Sequence, residues 1–468
     1  RNRDTFVTVA ERLYDDVREC RELLQAMQCK EGLSTTEGHK YFSKMQEALD
    51  DCMGQLRSGE NLYGLCYGDL EVRREQLEVI DAYLWSSMDR LSSQATMLRA
   101  STNANIDARL SLQFPSESER AMPMEDINVE PIDRKVLISD WNFDVLDHFK
   151  TTEHAFISLG FSLLQRYQSQ CNVDRVTILR FLNRLEGFYL DVPYHNKMHG
   201  AMVAQKLMCL ANYTRLLEHM TVLDEGLLIV AALAHDVGHP ARNNAFFIRT
   251  HHPVAQMYND ISVLENYHAA CAFRILNMAG CNMFAEYDYD YVRSQIIGLI
   301  LATDTVDNFQ MISQFTLSHS NSDFSFEDPK ARTLTSKMLI KAADVAAPTM
   351  SWSASLAWVG RLMGEFYAQG AEEAELGLPM SALCDRAHHD QAARSQAAFL
   401  KIVVSPLYQS IASLGSAELE SIVLQVAVNA ERWLEMDSSG EQISCVECLE
   451  SKANLDVSWV FAPLSQAP

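Results

Sequence analysis

The residues best suited to chemistry in this 468-residue chain are its histidines, and eight of the fourteen lie between His195 and His268. Two pairs stand four apart, His195/His199 in Tyr194-His-Asn-Lys-Met-His199 and His235/His239 in His235-Asp-Val-Gly-His-Pro240. On a helix that spacing puts two imidazoles on one face, a turn apart. Asp236 beside His235 adds a carboxylate that can share a metal with the imidazole while its second oxygen reaches another. A zinc site wants nitrogen and carboxylate donors. His199, His235, Asp236 and the later Asp344 supply two of each. Singly, each has a plainer reading: a helical histidine is usually a hydrogen-bonded structural group, and Asp344 alone fits a helix cap. The combination on one helical background points to metal.

Positioning them requires rigid elements, and the composition supplies helices. Gly (19) and Pro (12) are sparse while Leu, Ala, Glu and Met are plentiful, which predicts an all-α protein. The apolar run from Leu227 reads as a buried helix that delivers His235 and Asp236, carries His239 one turn on, and stops at Pro240. No apolar run approaches the roughly 18 residues that span a bilayer. The net charge of −23 repels polyanions, which argues against nucleic acid as a partner but not against a small anion held through bound cations. Eleven cysteines without framework spacing suit a reducing cytoplasm. Cys445-Val-Glu-Cys448 lacks the second pair that a zinc site would need.

In chain order, apolar residues at Phe6, Ala10, Leu13, Val17, Cys20, Leu24 and Met27 form a coiled-coil seam, and Leu70, Leu77, Leu84, Leu91 and Leu98 form a second. Residues 1–112 are therefore expected to be a helical, coiled-coil-like region that could pair two chains. Residues 113–135, with three of the twelve prolines, read as a linker. Ser139 to Asp144 carries an N-cap signal at the start of a helical domain spanning 136–437. Its longest breaks are expected near Ser318–Pro329 and Gln369–Ala382, and 438–468 reads as a tail. The chain begins with Arg, so it reads as a fragment whose missing N-terminal segment would carry any peripheral targeting signal.

The two histidine motifs, Met257-Tyr-Asn-Asp260, Val263-Leu-Glu-Asn266, Leu301-Ala-Thr-Asp304, Ala343-Asp344 and Ser395-Gln-Ala-Ala-Phe399 together resemble, in order and approximate spacing, the catalytic domain of class I 3′,5′-cyclic-nucleotide phosphodiesterases. The resemblance covers about 139–433 and implies a compact multi-helix HD-type metallohydrolase domain. It implies that His199, His235, Asp236 and Asp344 hold a first ion, usually Zn2+. Asp236 would bridge to a second, Mg2+ or Mn2+, whose waters match His239, Glu265 and Thr303. Magnesium keeps most of its waters, which agrees. The implied reaction is hydrolysis of cAMP and cGMP to 5′-nucleotides by a hydroxide shared between the ions, with His195 as general acid. For the base, the resemblance implies Gln396 pairing with the purine edge, Phe399 stacking on its plane, and an apolar wall of Leu362, Phe366 and Leu383.

Two departures stand out: Gly238 occupies a place where many members carry Asp, and Ala347 one where adenosine-preferring members carry Asn. Without that Asn, discrimination against guanine weakens, which favours dual specificity. Two alternatives compete. A related hydrolase of nucleoside polyphosphates would need a Lys/Arg cluster, yet Lys197 and Arg242 are the only basic residues in or beside the two motifs. A non-catalytic dimeric nucleotide-binding scaffold would be expected to have lost a ligand, and none of the four is missing.

Overall fold

From Gly226 to Ala234 the chain carries no polar side chain, and a helix apolar on every face is stable only inside protein. The computed structural model, which describes residues 129–320 and 324–448, buries that stretch completely: Leu228, Ile229, Val230 and Leu233 have no accessible surface. Each such side chain contributes roughly 1.5–3 kcal/mol.

The described helices are α1 (Arg134–Ser139), α2 (Val145–Thr151), α3 (Ala155–Gln170), α4 (Arg175–Phe188), α5 (Lys197–Tyr213), α6 (Val222–Ala234), α7 (Asn244–Arg249) and α8 (Pro253–Met257). They continue with α9 (Val263–Leu276), α10 (Tyr289–Leu301), α11 (Asn308–His319), α12 (Pro329–Asp344), α13 (Trp352–Glu375), α14 (Ala392–Phe399), α15 (Ser405–Ala412) and α16 (Ala417–Ser439). Among the described residues there is no strand, so the all-α expectation holds. Starts follow local chemistry: Asp133, Asp144, Asp174, Asn196, Thr221, Asn243, Asp288, Asp328 and Ser416 each cap a helix by accepting a backbone amide, as short polar side chains do.

In the main body, 129–306 and 326–448, α5 and α6 form the buried centre; α5 packs against α1, α3, α6 and α12, and α6 against α3, α5 and α10. Lys206, within α5, donates to the carbonyls of Trp141 and Phe143 at 2.6 and 3.3 Å. It thereby pins the turn between α1 and α2, and burial pushes its pKa down to about 8. Residues 307–320 and 324–325, with α11, belong to a second compact unit, in which the rings of Phe315 and Phe324 lie against His319.

Three local expectations change. Helix α13 continues to Glu375, through half of the break expected at Gln369–Ala382. Its polar residues are buried: Glu372 accepts from Arg242 at 2.8 Å, and Gln369 and Glu373 bind Ser381, so polarity marks an internal network and not a loop. Beyond Ser438, residues up to 448 pack on the body, with Val446 donating to the Gly360 carbonyl at 2.9 Å and Glu447 pairing with Arg386. Helix α1 begins inside the expected linker, at Arg134. The proposed coiled-coil region 1–112 lies outside the described residues.

Candidate metal centre and active site

Neither histidine pair lies within one helix. Asn196 caps α5, its side chain accepting the Met198 amide, so His195 stands just before the helix and His199 in its first turn. Helix α6 ends at Ala234 with His235 as its C-cap. The chain then turns through Gly238, at φ +77, a left-handed conformation that favours glycine. His239 is therefore not one turn further along a helix, and Pro240 is not what stops it. Close approach of α5 to α6 is also required. A Cβ at Gly200 would meet the Tyr189 hydroxyl at 2.5 Å and the Leu233 carbonyl at 3.2 Å, and Tyr189 donates to that carbonyl at 2.8 Å.

This packing brings together four donors from three places. His199 Nε2 lies 3.2 Å from His235 Nε2, 3.0 Å from Asp344 Oδ1 and 3.3 Å from Asp236 Oδ2. His235 Nε2 lies 3.2 Å from both Asp344 Oδ1 and Asp236 Oδ2. Donors placed about 2.0–2.1 Å from a central zinc stand roughly 3.3 Å apart in a tetrahedron, so five edges match. His235 Nδ1 sits 2.9 Å from the Ala232 carbonyl, a contact that commits Nδ1–H and leaves Nε2 as the donor atom. Burial opposes charge on Asp344, yet His235 and His199 hold its carboxyl well below the usual range.

Asp236 uses its two oxygens differently. Oδ2 faces the histidine pair, and Oδ1 lies 3.7 Å from His268 Nε2, a buried atom without a hydrogen-bond partner. Asp236, His239 and His268 form a second group able to hold an ion. His239 is neutral, burial and the neighbouring His195 both lowering its pKa; its ring stacks on His195 with centroids 4.0 Å apart. Glu265 and Thr303 stand outside these groups. Glu265 receives both of its bonds from Asn244, and burial, then the Asp304 charge, push its pKa up to about 8. The buried Thr303 hydroxyl donates to the Ile300 carbonyl.

His195 is held by a residue that sequence reasoning missed. Its Nδ1 lies 2.5 Å from Glu365 Oε2, while Glu365 Oε1 accepts the backbone amides of Tyr194 and His195 at 2.7 and 2.9 Å. Burial lowers the imidazole pKa, but Glu365, with Asp236 and Asp344 behind it, outweighs burial and holds it at about 8. An imidazole protonated at neutral pH beside the four-donor cluster can give up a proton there. His268 was also missed, although it follows Glu265 by three on α9, a same-face spacing.

Of the base-pocket candidates, Gln396 and Phe399 lie buried on α14, which passes directly into a π-helical turn at Leu400–Val404. Leu362 and Phe366 flank Glu365 on α13 and are half-buried. Leu383, at φ +65, lies between α13 and α14.

Residues 194–426 match the family described as 3'5'-cyclic nucleotide phosphodiesterase. The dual 3',5'-cyclic-AMP and -GMP phosphodiesterase beta of Plasmodium falciparum is 32% identical over 433 residues, 87% of this chain and 37% of that protein. The human dual specificity calcium/calmodulin-dependent 3',5'-cyclic nucleotide phosphodiesterase 1B is 33% identical over 290 residues, 60% of this chain and 53% of that one. This chain thus spans between about a third and a half of these curated relatives. The phosphodiesterase domain of Salpingoeca rosetta rhodopsin phosphodiesterase superposes with a TM-score of 0.61 at 27% identity, over 68% of this chain and 96% of that domain.

Proposed function

Because this chain belongs, through residues 194–426, to the cyclic nucleotide phosphodiesterase family, whose members are metal-dependent, we propose that it hydrolyses cAMP and cGMP to their 5′-nucleotides. The observation that carries the reading is the set of five donor distances of 3.0–3.3 Å among His199, His235, Asp236 and Asp344. In this proposal those residues hold Zn2+. Asp236 Oδ1, with His239 and His268 beside it, would hold Mg2+ or Mn2+, and Glu265 and Thr303 would serve its waters. Such a pair, when bound, supplies an acidified water and neutralises charge on the phosphate.

The chain's own groups do the rest. His195, protonated at neutral pH, gives its Nε2 proton to the 3′ oxygen as the P–O3′ bond breaks. Glu365 keeps the ring aimed by engaging Nδ1 and the two backbone amides. Gln396 reads the purine edge and Phe399 stacks on its plane, with Leu362, Phe366 and Leu383 as the apolar wall. Ala347 offers the base no polar group, which supports acceptance of both purines. The free cysteines among the described residues support a reducing, cytoplasmic setting, and the leucine seams support self-association through residues 1–112.

The test is turnover of cAMP and cGMP with and without a chelator, combined with metal analysis of two variants. Asp344→Ala is expected to lose both hydrolysis and zinc. His195→Ala is expected to lose turnover while keeping its metal; equal metal loss in both refutes the acid assignment. Binding of cAMP without release of 5′-AMP in the presence of both ions would make the protein a scaffold.

A further inference from the structure

A cavity of about 200 Å3 lies among α6, α10 and α12 in the main body. Its walls differ in character. Leu227, Leu228 and Leu299, all buried, form an apolar floor. The first turns of α12 contribute Arg332 and Lys337. Arg332 spends its guanidinium on two backbone carbonyls, those of Phe326 and Glu327, which do not neutralise it. Lys337 makes no hydrogen bond or ion pair among the described residues; its side chain lies over Gly298, where an added Cβ would approach Cε at 3.5 Å and Nζ at 3.7 Å. The one carboxylate in the lining, Asp224, accepts the hydroxyls of Tyr291 and Thr221 and pairs with neither cation, so the lining carries two cations to one anion. In a chain of net charge −23, a pocket with an apolar floor and a net positive lining, neither of whose cations is ion-paired among the described residues, is complementary to a molecule with an apolar body and a negative head.

The enclosing helices also lead to the metal centre. Helix α6 runs from Leu228 to the His235 cap, and α12 from Lys337 to Asp344. Each path is about 10 Å at the helical rise. Helix α10 ends two residues before Thr303. Cores transmit displacement because they are packed like solids, so an occupant wedged among these helices bears on the spacing of His235, Asp344 and Thr303.

We propose that this cavity is an effector site for a small amphipathic anion, an alkyl or aryl carboxylate or phosphate, whose occupancy is coupled to metal binding at the catalytic centre. The coupling rests on the metal assignment above; binding to the cavity does not. The probe is octanoate, titrated calorimetrically into the full chain, with octanol and inorganic phosphate each supplying one half of its chemistry. Lys337→Gln removes one of the two cations, and Gly298→Leu fills the space against a flexible side chain and not against backbone. Neither residue belongs to the catalytic machinery, so both variants are expected to keep basal turnover.

Octanoate is expected to bind the wild type, to bind Lys337→Gln about tenfold more weakly, and to be undetectable on Gly298→Leu; octanol and phosphate should each bind more weakly than octanoate. Saturating octanoate should move the Mn2+ midpoint for activation about fivefold in the wild type and not at all in Gly298→Leu. Octanoate binding that neither variant weakens, or no binding, overturns the site. Binding that both variants weaken without moving the Mn2+ midpoint overturns the coupling. Loss of all cyclic nucleotide turnover with octanoate binding intact would instead indict the catalytic reading.

Discussion

Replacing Glu365 by Gln isolates one carboxylate charge with little change of shape. Gln Oε1 still accepts the amides of Tyr194 and His195, now bound at 2.7 and 2.9 Å, so the loop before α5 is retained. What disappears is the negative charge 2.5 Å from His195 Nδ1, which outweighs burial and keeps the imidazole at about 8. Without it the value falls to the ordinary 6.5 or below, because burial is then unopposed. That change is worth about 2 kcal/mol of preference for the protonated form. The acid form is complete below the ordinary value and is lost as pH rises through the folded one. At pH 7.5 the wild type is about three-quarters protonated and the variant about one-tenth, a loss of roughly eightfold in kcat. The assay is kcat against pH from 6 to 9.5, with zinc content measured on the same samples. The alkaline limb should move down by about 1.5 pH units, with KM and zinc nearly unchanged. An alkaline limb that stays in place refutes the role given to His195 and Glu365, and loss of zinc shows that Glu365 supports the metal cluster instead.

Gln396→Ala is expected to raise KM about tenfold or more for both nucleotides, since a bidentate amide contact to a base edge is worth ~1–3 kcal/mol; an unchanged KM removes α14 from base recognition. Lys341 is buried on α12 and donates to the Asp304 carbonyl at 2.5 Å, next to Thr303. Lys341→Met should cost about 1–3 kcal/mol in chemical denaturation by orphaning that carbonyl, and should raise the Mn2+ midpoint; an unchanged stability refutes the tie. His252 caps α8 through Nδ1 and is buried, which lowers its pKa to about 4. Its neutral form is favoured in the fold, so its contribution is present above 6.5 and is lost as pH falls toward 4, by about 2 kcal/mol at pH 5. His252→Asn keeps a capping side chain, and its melting temperature should drop less than the wild type's between pH 7 and 5; an equal drop refutes the assignment.

Much of the centre was legible because it rests on local chemistry. Four possible donors of two kinds, spaced as His-x3-His, His-Asp and a distant Ala-Asp, make a candidate metal set in the sequence, and all four converge. The buried α6 was legible from the absence of any polar residue along nine positions. The i, i+4 reading of both histidine pairs was not, since it treated the spacing as helical on both sides of residues that end helices. Asn196 is a stronger cap than a helix interior residue, and Gly238 takes a left-handed turn. The polar stretch from Gln369 looked like a break because sequence polarity does not distinguish solvent from an internal partner such as Arg242.

What the sequence by itself determined is therefore the candidate donor set, the helical class and an acidic charge that disfavours polyanions. Only the tertiary structure decided which oxygen of Asp236 faces the histidine pair and which faces His268, that Glu365, 170 positions away, holds His195, and that Arg332 and Lys337 face an apolar floor among three helices. The physical reason is one of range. Caps, turns and helical periodicity act over a few residues and can be read in a string. A carboxylate's hold on a proton falls off over a few ångströms through space, and that distance is set by how α5, α6, α12 and α13 pack.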